Sequence, residues 1–224
     1  MKSYWSIPGT KDSASIGLPC LAFYKSDGSN IRAEYHRKRG WYKFGTRNVL
    51  IDRTNPDFGL AIDLFMNTLA EGIEKVLQDN KVYRGNEGAL AFFEFYGPNS
   101  FAGWHNPIDP KEVTLFDVNI NKKGFVLPRD FADHFGHLKS APVVYDGNFS
   151  LEFISAVREG KIAGLKEGVV AKGITPGCKR DQHGLWMAKI KTNSWLSELK
   201  QKAAIHPELY KNSLTENLHE QEKE

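Results

Sequence analysis

Residues 19–36, PCLAFYKSDGSNIRAEYH, run from an apolar segment through one lysine and a cluster of turn formers into an alternating segment. Residues 19–25 read as a strand, and IRAEYHR (31–37) reads as a second one. Asp27-Gly28-Ser29-Asn30 lies between them, so the two are expected to pair as a hairpin and to set an antiparallel sheet at the start of the chain. The reading leaves Lys25 where a strand should enter the core. In most proteins such a lysine is an ordinary strand-end charge. The functional alternative is an amine held in a cleft, whose pKa is brought down from about 10.4 by desolvation, cations or a metal until it becomes a nucleophile.

Outward from this stretch, RKRGWYKFGTRN (37–48) predicts a second hairpin turning at Gly40, with Arg47 near the end of the returning strand. From Phe58 to Gln78 the period changes. Ile62, Phe65, Met66, Leu69, Ile73, Val76 and Leu77 form one apolar stripe of an amphipathic helix. Strands resume at 89–97 and 113–120 across a Pro- and Gly-containing loop, and short helices are expected at 129–139 and 149–158. GVVAKGI (168–174) and LWMAKIKT (185–192) read as two strands around a loop at 174–184, and Ser194 is a candidate cap for a last helix starting at Trp195. Residues 208–224 read as a weak helix or tail. No repeat, low-complexity stretch or linker divides the chain, so one mixed α+β domain dominated by antiparallel strands is expected.

The 224 residues suffice for one large domain with a sizeable core. No apolar run approaches the roughly 18 residues of a membrane span, and the first residues lack a signal-peptide h-region, so a cytoplasmic protein with no membrane partner is expected. Cys20 and Cys178 are too few and too isolated for a disulfide framework or a zinc site. The net charge of +3 is mild, but basic residues crowd 32–53 (Arg32, Arg37, Lys38, Arg39, Lys43, Arg47, Arg53) and 179–191 (Lys179, Arg180, Lys189, Lys191). If these segments meet, they suit a polyphosphate or a nucleic-acid backbone; otherwise they are two solvated loops. His134 and His137 have metal-pair spacing but no third ligand, and read as a surface helix. There is no GxxxxGK phosphate loop.

Several charged residues sit where strands should be apolar. Glu94 interrupts AFFEFYG, Glu167 and Lys172 bracket EGVVAK, and Lys189 and Lys191 share one face of their strand. Two lysines side by side repel unless an anion lies over them. Together with Lys25 they suggest a cleft lined by lysines and carboxylates, suited to metal-assisted phosphoryl chemistry rather than a hydrolase triad.

The segments KSDG (25–28), FGTRN (44–48), FEFYG (93–97), LFD (115–117), EGVVAK (167–172) and KIK (189–191) resemble, in order, the motif series of the covalent nucleotidyltransferases, the superfamily of ATP-dependent DNA ligases, RNA ligases and mRNA capping enzymes. The resemblance implies a nucleotidyltransferase (adenylation) domain of mostly antiparallel sheets with flanking helices and a nucleotide cleft between the sheets. It implies ATP as cofactor, with AMP carried covalently on Lys25, and Mg²⁺ or Mn²⁺ held by Glu167, with Glu94 as a second candidate. Tyr24, Asp27, Gly28 and Asn30 would line the nucleotide site around Lys25. Glu94 would hold the ribose hydroxyls, Phe116 would stack on the adenine, Arg47 would contact a phosphate, and Lys172, Lys189 and Lys191 would neutralise phosphate charge.

Within that superfamily DNA ligases carry KxDGxR, whereas here Asn30 holds the arginine position; KSDGSN is closer to the KxxGxN of bacteriophage nick-sealing RNA ligases, with Asp27 in place of their histidine. Only 33 residues follow Lys191, too few for the OB-fold of DNA ligases and capping enzymes. The expected organisation is an adenylation domain at 1–207 and a C-terminal helix or tail at 208–224. The expected function is an ATP-dependent RNA ligase, monomeric, acting on RNA or an RNA/DNA nicked duplex through the two basic segments. The alternatives are a minimal DNA ligase and a non-catalytic module that binds nucleic-acid ends.

Overall fold

The computed structural model describes residues 1–10, 15–177 and 184–221. Cys178, Lys179 and Arg180 lie outside the described residues. In chain order the elements are β1 (Pro19–Lys25), β2 (Ser29–His36), β3 (Gly40–Thr46), β4 (Leu50–Ile51), α1 (Gly59–Phe65), a π-helical turn (Met66–Ala70), α2 (Glu71–Asp79), β5 (Gly88–Tyr96), β6 (Glu112–Ile120) and β7 (Gly124–Phe125). There follow α3 (Pro128–Phe135), β8 (Val143–Asn148), α4 (Leu151–Arg158), β9 (Gly168–Ile174), β10 (Leu185–Lys191), α5 (Asn193–Ile205) and α6 (Pro207–Gln221). The strands make two antiparallel sheets, one ordered β10-β9-β1-β8 and the other β4-β3-β2-β5-β6-β7. The fold is therefore the expected mixed α+β arrangement.

The expected hairpin between 19–25 and 31–37 does not form. β1 pairs with β8 and β9, whereas β2 pairs with β3 and β5 in the other sheet. Residues 26–28 carry the chain from one sheet to the other, and Gly28 makes the crossing possible: a Cβ there would stand 2.4 Å from the Phe95 carbonyl oxygen of β5. The turn signal was real, but it joins two sheets and leaves Lys25 at their junction. The hairpin at Gly40 does form between β2 and β3, with Gly40 at φ +65°.

Alternation gives each face of the β1 sheet its own task. Cys20, Ala22, Val169, Ala171, Ala188 and Ile190 pack under Phe153, Ile154 and Val157 of α4. The opposite face presents Phe23, Lys25, Val170, Lys172, Lys189 and Lys191 to a cleft. On the larger sheet, Ile31, Ala33, Phe44, Phe93 and Phe95 pack on Ile62, Phe65, Leu69 and Ile73, the stripe expected for the 58–78 helix. Phe65 is fully buried with its ring against Trp41, Phe44 and Phe93. Truncating a phenylalanine so placed costs about 3–5 kcal/mol.

Two further details differ from the sequence reading. The last-helix cap is Thr192 rather than Ser194: the Thr192 hydroxyl accepts from the Trp195 amide at 3.2 Å and itself donates to the Lys166 carbonyl, so α5 begins at Asn193. α6 is a helix of 15 residues, with Tyr210 buried against Phe101.

Candidate active site

A cleft of about 720 Å³ opens between the sheets. The residues that the motif resemblance marks as the site all line it: Tyr24, Lys25, Asp27, Gly28, Asn30, Arg47, Glu94, Phe116, Glu167, Lys172, Lys189 and Lys191. They come from both sheets and from loops more than a hundred residues apart.

Register explains the centre of the cleft. Lys25 on β1 and Lys191 on β10 both stand opposite Gly168 of β9, one on each side. Their ammonium groups converge on the carboxylate of the preceding residue, Glu167, at 2.9 Å and 2.8 Å. Gly168 admits this crossing because its φ is +151° and a Cβ would lie 2.0 Å from the Ile190 carbonyl oxygen. The Glu167 side chain is 3% exposed. Burial pushes its carboxyl up, but Lys25 and Lys191 outweigh that and hold it below the usual glutamate value.

Lys25 differs from the expectation of a lowered pKa. Burial does push it down, yet Glu167, Glu94 and Asp27 together raise it above an ordinary lysine. Without a bound anion the amine is a paired ammonium. Lys191 does move down, through burial and the neighbouring Lys25 and Lys189, against the pull of Glu167.

Two further acidic groups lie above the usual carboxylate range. Burial, with Glu167 nearby, raises Asp27 to about 6 and Glu94 to about 7. Asn30 and Glu94 are cross-strand partners on β2 and β5, so their side chains lie side by side in the cleft. The Asn30 Oδ1 is buried with no hydrogen-bond partner. An unsatisfied polar atom beside a raised carboxyl is a place where a ligand's hydroxyls fit.

Phe116 owes its place to a β-bulge. Leu115 pairs with Phe93 and Asp117 with Phe92, leaving Phe116 as the extra residue that the bulge turns toward the cleft. Behind it, the Lys172 ammonium meets the Asp117 carboxylate and the Phe116 carbonyl, each at 2.8 Å, and Tyr4 donates its hydroxyl to Asp117. Lys172 thus braces the floor at Phe116. It was expected among the phosphate-neutralising lysines, and in this structure its ammonium is committed to Asp117.

Sequence reasoning missed the N-terminal segment and Trp195. Tyr4, Ser6, Ile7 and Pro8 cover one end of the cleft, the Lys189 amide donating to the Pro8 carbonyl. Nothing in the spacing of MKSYWSIP announces this. Arg32 leaves the expected basic surface: it is 5% exposed and donates to the Met1 carbonyl and the Ser3 hydroxyl. His134 bonds the Tyr83 hydroxyl at 2.7 Å, as a structural side chain does.

No group of three or more histidine, cysteine or carboxylate side chains is arranged to cage a metal among the described residues. Glu167, Glu94 and Asp27 nonetheless supply hard oxygen donors around Lys25, which fits a cation such as Mg²⁺ that binds through few carboxylates, water and a ligand's phosphates.

No protein-family model matches the chain, and no curated protein matches it in sequence. Solved structures do match. The RNA ligase of Naegleria gruberi, in a mutant without ligand, superposes with a TM-score of 0.61 at 15% identity over 89% of this chain and 58% of that one. Another mutant of it, with AMP and manganese, gives 0.60 at 16% over 88% and 58%, and the same ligase with pyrophosphate gives 0.59 at 18% over 89% and 58%. The likeness is one of fold. The chain has a nucleotidyltransferase-like fold and spans little more than half the length of those neighbours.

Proposed function

We propose that this chain is an ATP-dependent RNA ligase that joins a 5′-phosphate end to a 3′-hydroxyl end through a lysyl-AMP and an adenylylated polynucleotide. The observation that carries the reading is the convergence of Lys25 and Lys191 on the buried Glu167, at the head of a cleft walled by Glu94, Asn30 and Phe116. The fold likeness to an RNA ligase solved with ATP or AMP supports it.

In the first step the Lys25 Nζ attacks the α-phosphorus of ATP; a P–N bond forms as the P–O bond to pyrophosphate breaks. Nζ attacks as the neutral amine after its proton has passed to solvent, and the Glu167 carboxylate, 2.9 Å away, holds and orients it. Lys189 and Lys191 line the same wall and neutralise charge on the phosphates. Phe116 stacks on the base, while Glu94 and Asn30 take the ribose hydroxyls. A divalent cation, when bound, would offset further phosphate charge, with Glu167 and then Glu94 as its protein donors. In the second step a 5′-phosphate oxygen attacks the same phosphorus and the P–N bond breaks. In the third a 3′-hydroxyl attacks the end phosphate and AMP leaves.

Nucleic acid would reach the cleft past Arg47, which is exposed at its rim, with Arg37, Lys38, Arg39 and Arg53 exposed on the same sheet and its loops. KSDGSN favours RNA and nick sealing of the bacteriophage kind. Residues 1–207 would form the adenylation unit of a monomer, and no helix among the described residues is long and apolar enough to cross a membrane.

Incubation with α-labelled ATP and Mg²⁺ or Mn²⁺ is expected to label the protein, and Lys25→Ala to abolish labelling. An unlabelled wild-type protein would overturn the reading and favour a module that binds ends without joining them, and a labelled Lys25→Ala would overturn Lys25 as the nucleophile. A panel of nicks with RNA or DNA on each side is expected to favour RNA at the 3′-hydroxyl side. Equal sealing of all-DNA nicks assigns a DNA ligase instead.

A further inference from the structure

Trp195 lies outside all six motifs, yet it touches two of the cleft's charged groups. Its indole N–H donates to the Asp27 carboxylate at 2.7 Å, and the Lys191 ammonium sits 3.9 Å from the centre of its ring. The contacts close a circuit: Lys25 to Glu167, Glu167 to Lys191, Lys191 to the Trp195 ring, the indole N–H to Asp27, and two residues of backbone from Asp27 back to Lys25. Every other member of the circuit is a motif residue. The Ala102 amide adds a second bond to Asp27 at 2.6 Å, made where Ala102 holds an unusual φ of +52°.

Trp195 is itself placed firmly. The Thr192 cap fixes its amide, its ring stacks on Phe101 with centroids 5.2 Å apart, and it is 5% exposed. The Ser213 hydroxyl of α6 donates to the Ala102 carbonyl, so the second helix grips the same loop. A cation over an indole face and a hydrogen bond to a carboxylate both depend on orientation, so a small rotation of this side chain would release both groups.

We propose that Trp195 is a positioning residue for the adenylation step, holding the Asp27 turn and the Lys191 ammonium in register so that α5 and α6 set the geometry around the Lys25 nucleophile. The inference rests on the ligase reading. Its partners in the reaction are Asp27 and Lys191; the indole itself need not touch nucleotide.

The test is a double-mutant cycle on the single-turnover rate of protein labelling by ATP. Trp195→Phe leaves a smaller aromatic face and loses the N–H; it is expected to slow labelling about tenfold, with the half-saturating ATP concentration shifting by less than about twofold. In an Asp27→Ala background the same change is expected to cost less than about twofold, because its target is already gone. Equal losses in both backgrounds, or no loss in either, would overturn the proposal. Tyr210→Leu is the packing control, because Tyr210 is buried in the same cluster with its ring edge-on to Phe101; it is expected to lower the melting temperature while the labelling rate holds within about twofold, and a loss matching that of Trp195→Phe reduces Trp195 to packing and also overturns it. Should the wild-type chain form no adenylate, the ligase reading falls by itself. The circuit is then read on the nucleotide-free protein by acylation of Lys25 with an activated ester, expected to quicken about threefold in Trp195→Phe and to stay unchanged in Tyr210→Leu. An unchanged rate in Trp195→Phe rejects the circuit.

Discussion

Glu167 holds two ammonium groups at once, and removing its charge isolates the consequence of that arrangement. In Glu167→Gln, free of metal, Lys25 loses the first of the carboxylates that lift it, and the burial that already pushes it down is left less opposed. The midpoint of Lys25 acylation against pH is expected to move to lower pH. Two partly buried cations left facing each other are expected to cost about 2 kcal/mol of stability by urea unfolding, and adenylate formation is expected to fall at least about 100-fold. The lysines and carboxylates of this centre were legible in the sequence, since each is a charge misplaced in an apolar strand. The protonation of Lys25 was not. It follows chiefly from Glu167 and Glu94, which come close to Lys25 only after folding, and spacing along the chain is silent on them.

At the scale of elements, the crossing of β9 beneath Lys25 and Lys191 depends on Gly168. Gly168→Ala puts a methyl into the Ile190 carbonyl at a φ that side chains rarely adopt, and is expected to destabilise the protein by about 2 kcal/mol or more. Unfolding in urea measures it, and a shift within about 0.5 kcal/mol of wild type would contradict the geometry. Period and turn chemistry located most strands and the long helix, because burial of one face imposes its period on the residues. Partner choice was another matter. Asp27-Gly28-Ser29-Asn30 signals a reversal but says nothing about which sheet receives the next strand. β8 escaped notice because it is a partly exposed strand with an Asp-Gly pair inside, a composition that reads as a turn. Trp195 reads as an ordinary apolar position at the start of a helix; its bond to Asp27 spans 168 residues.

Across the whole molecule, burial has set titrating groups against one another. His105 bonds Ser29 at 2.8 Å and Ser100 at 3.2 Å and is pushed down to about 4 by burial, with Lys111 adding to the effect. Its folded value lies below the unfolded one of 6.5, so the unfolded chain binds more protons between these values, and the ring's contribution falls as pH drops from about 6.5 to 4. Asp27 and Glu94 act in the opposite sense, since their folded values are raised and their cost to stability eases as pH falls through about 7 and 6. The difference in melting temperature between wild type and His105→Asn removes the carboxylate contribution. It is expected to turn against wild type as pH falls from 6.5 to 4, and a difference independent of pH would contradict the assignment.

The three-residue crossing at 26–28 also orders events in time. The larger sheet is drawn from one continuous span, residues 29–125, whereas the sheet that carries Lys25 needs strands from both ends of that span. Contacts this distant in sequence are slow to close. During synthesis Lys25 therefore emerges early and waits, an ordinary solvated amine, until Glu167 and Lys191 leave the ribosome. A chain interrupted before that point could build most of the larger sheet and still hold no assembled centre.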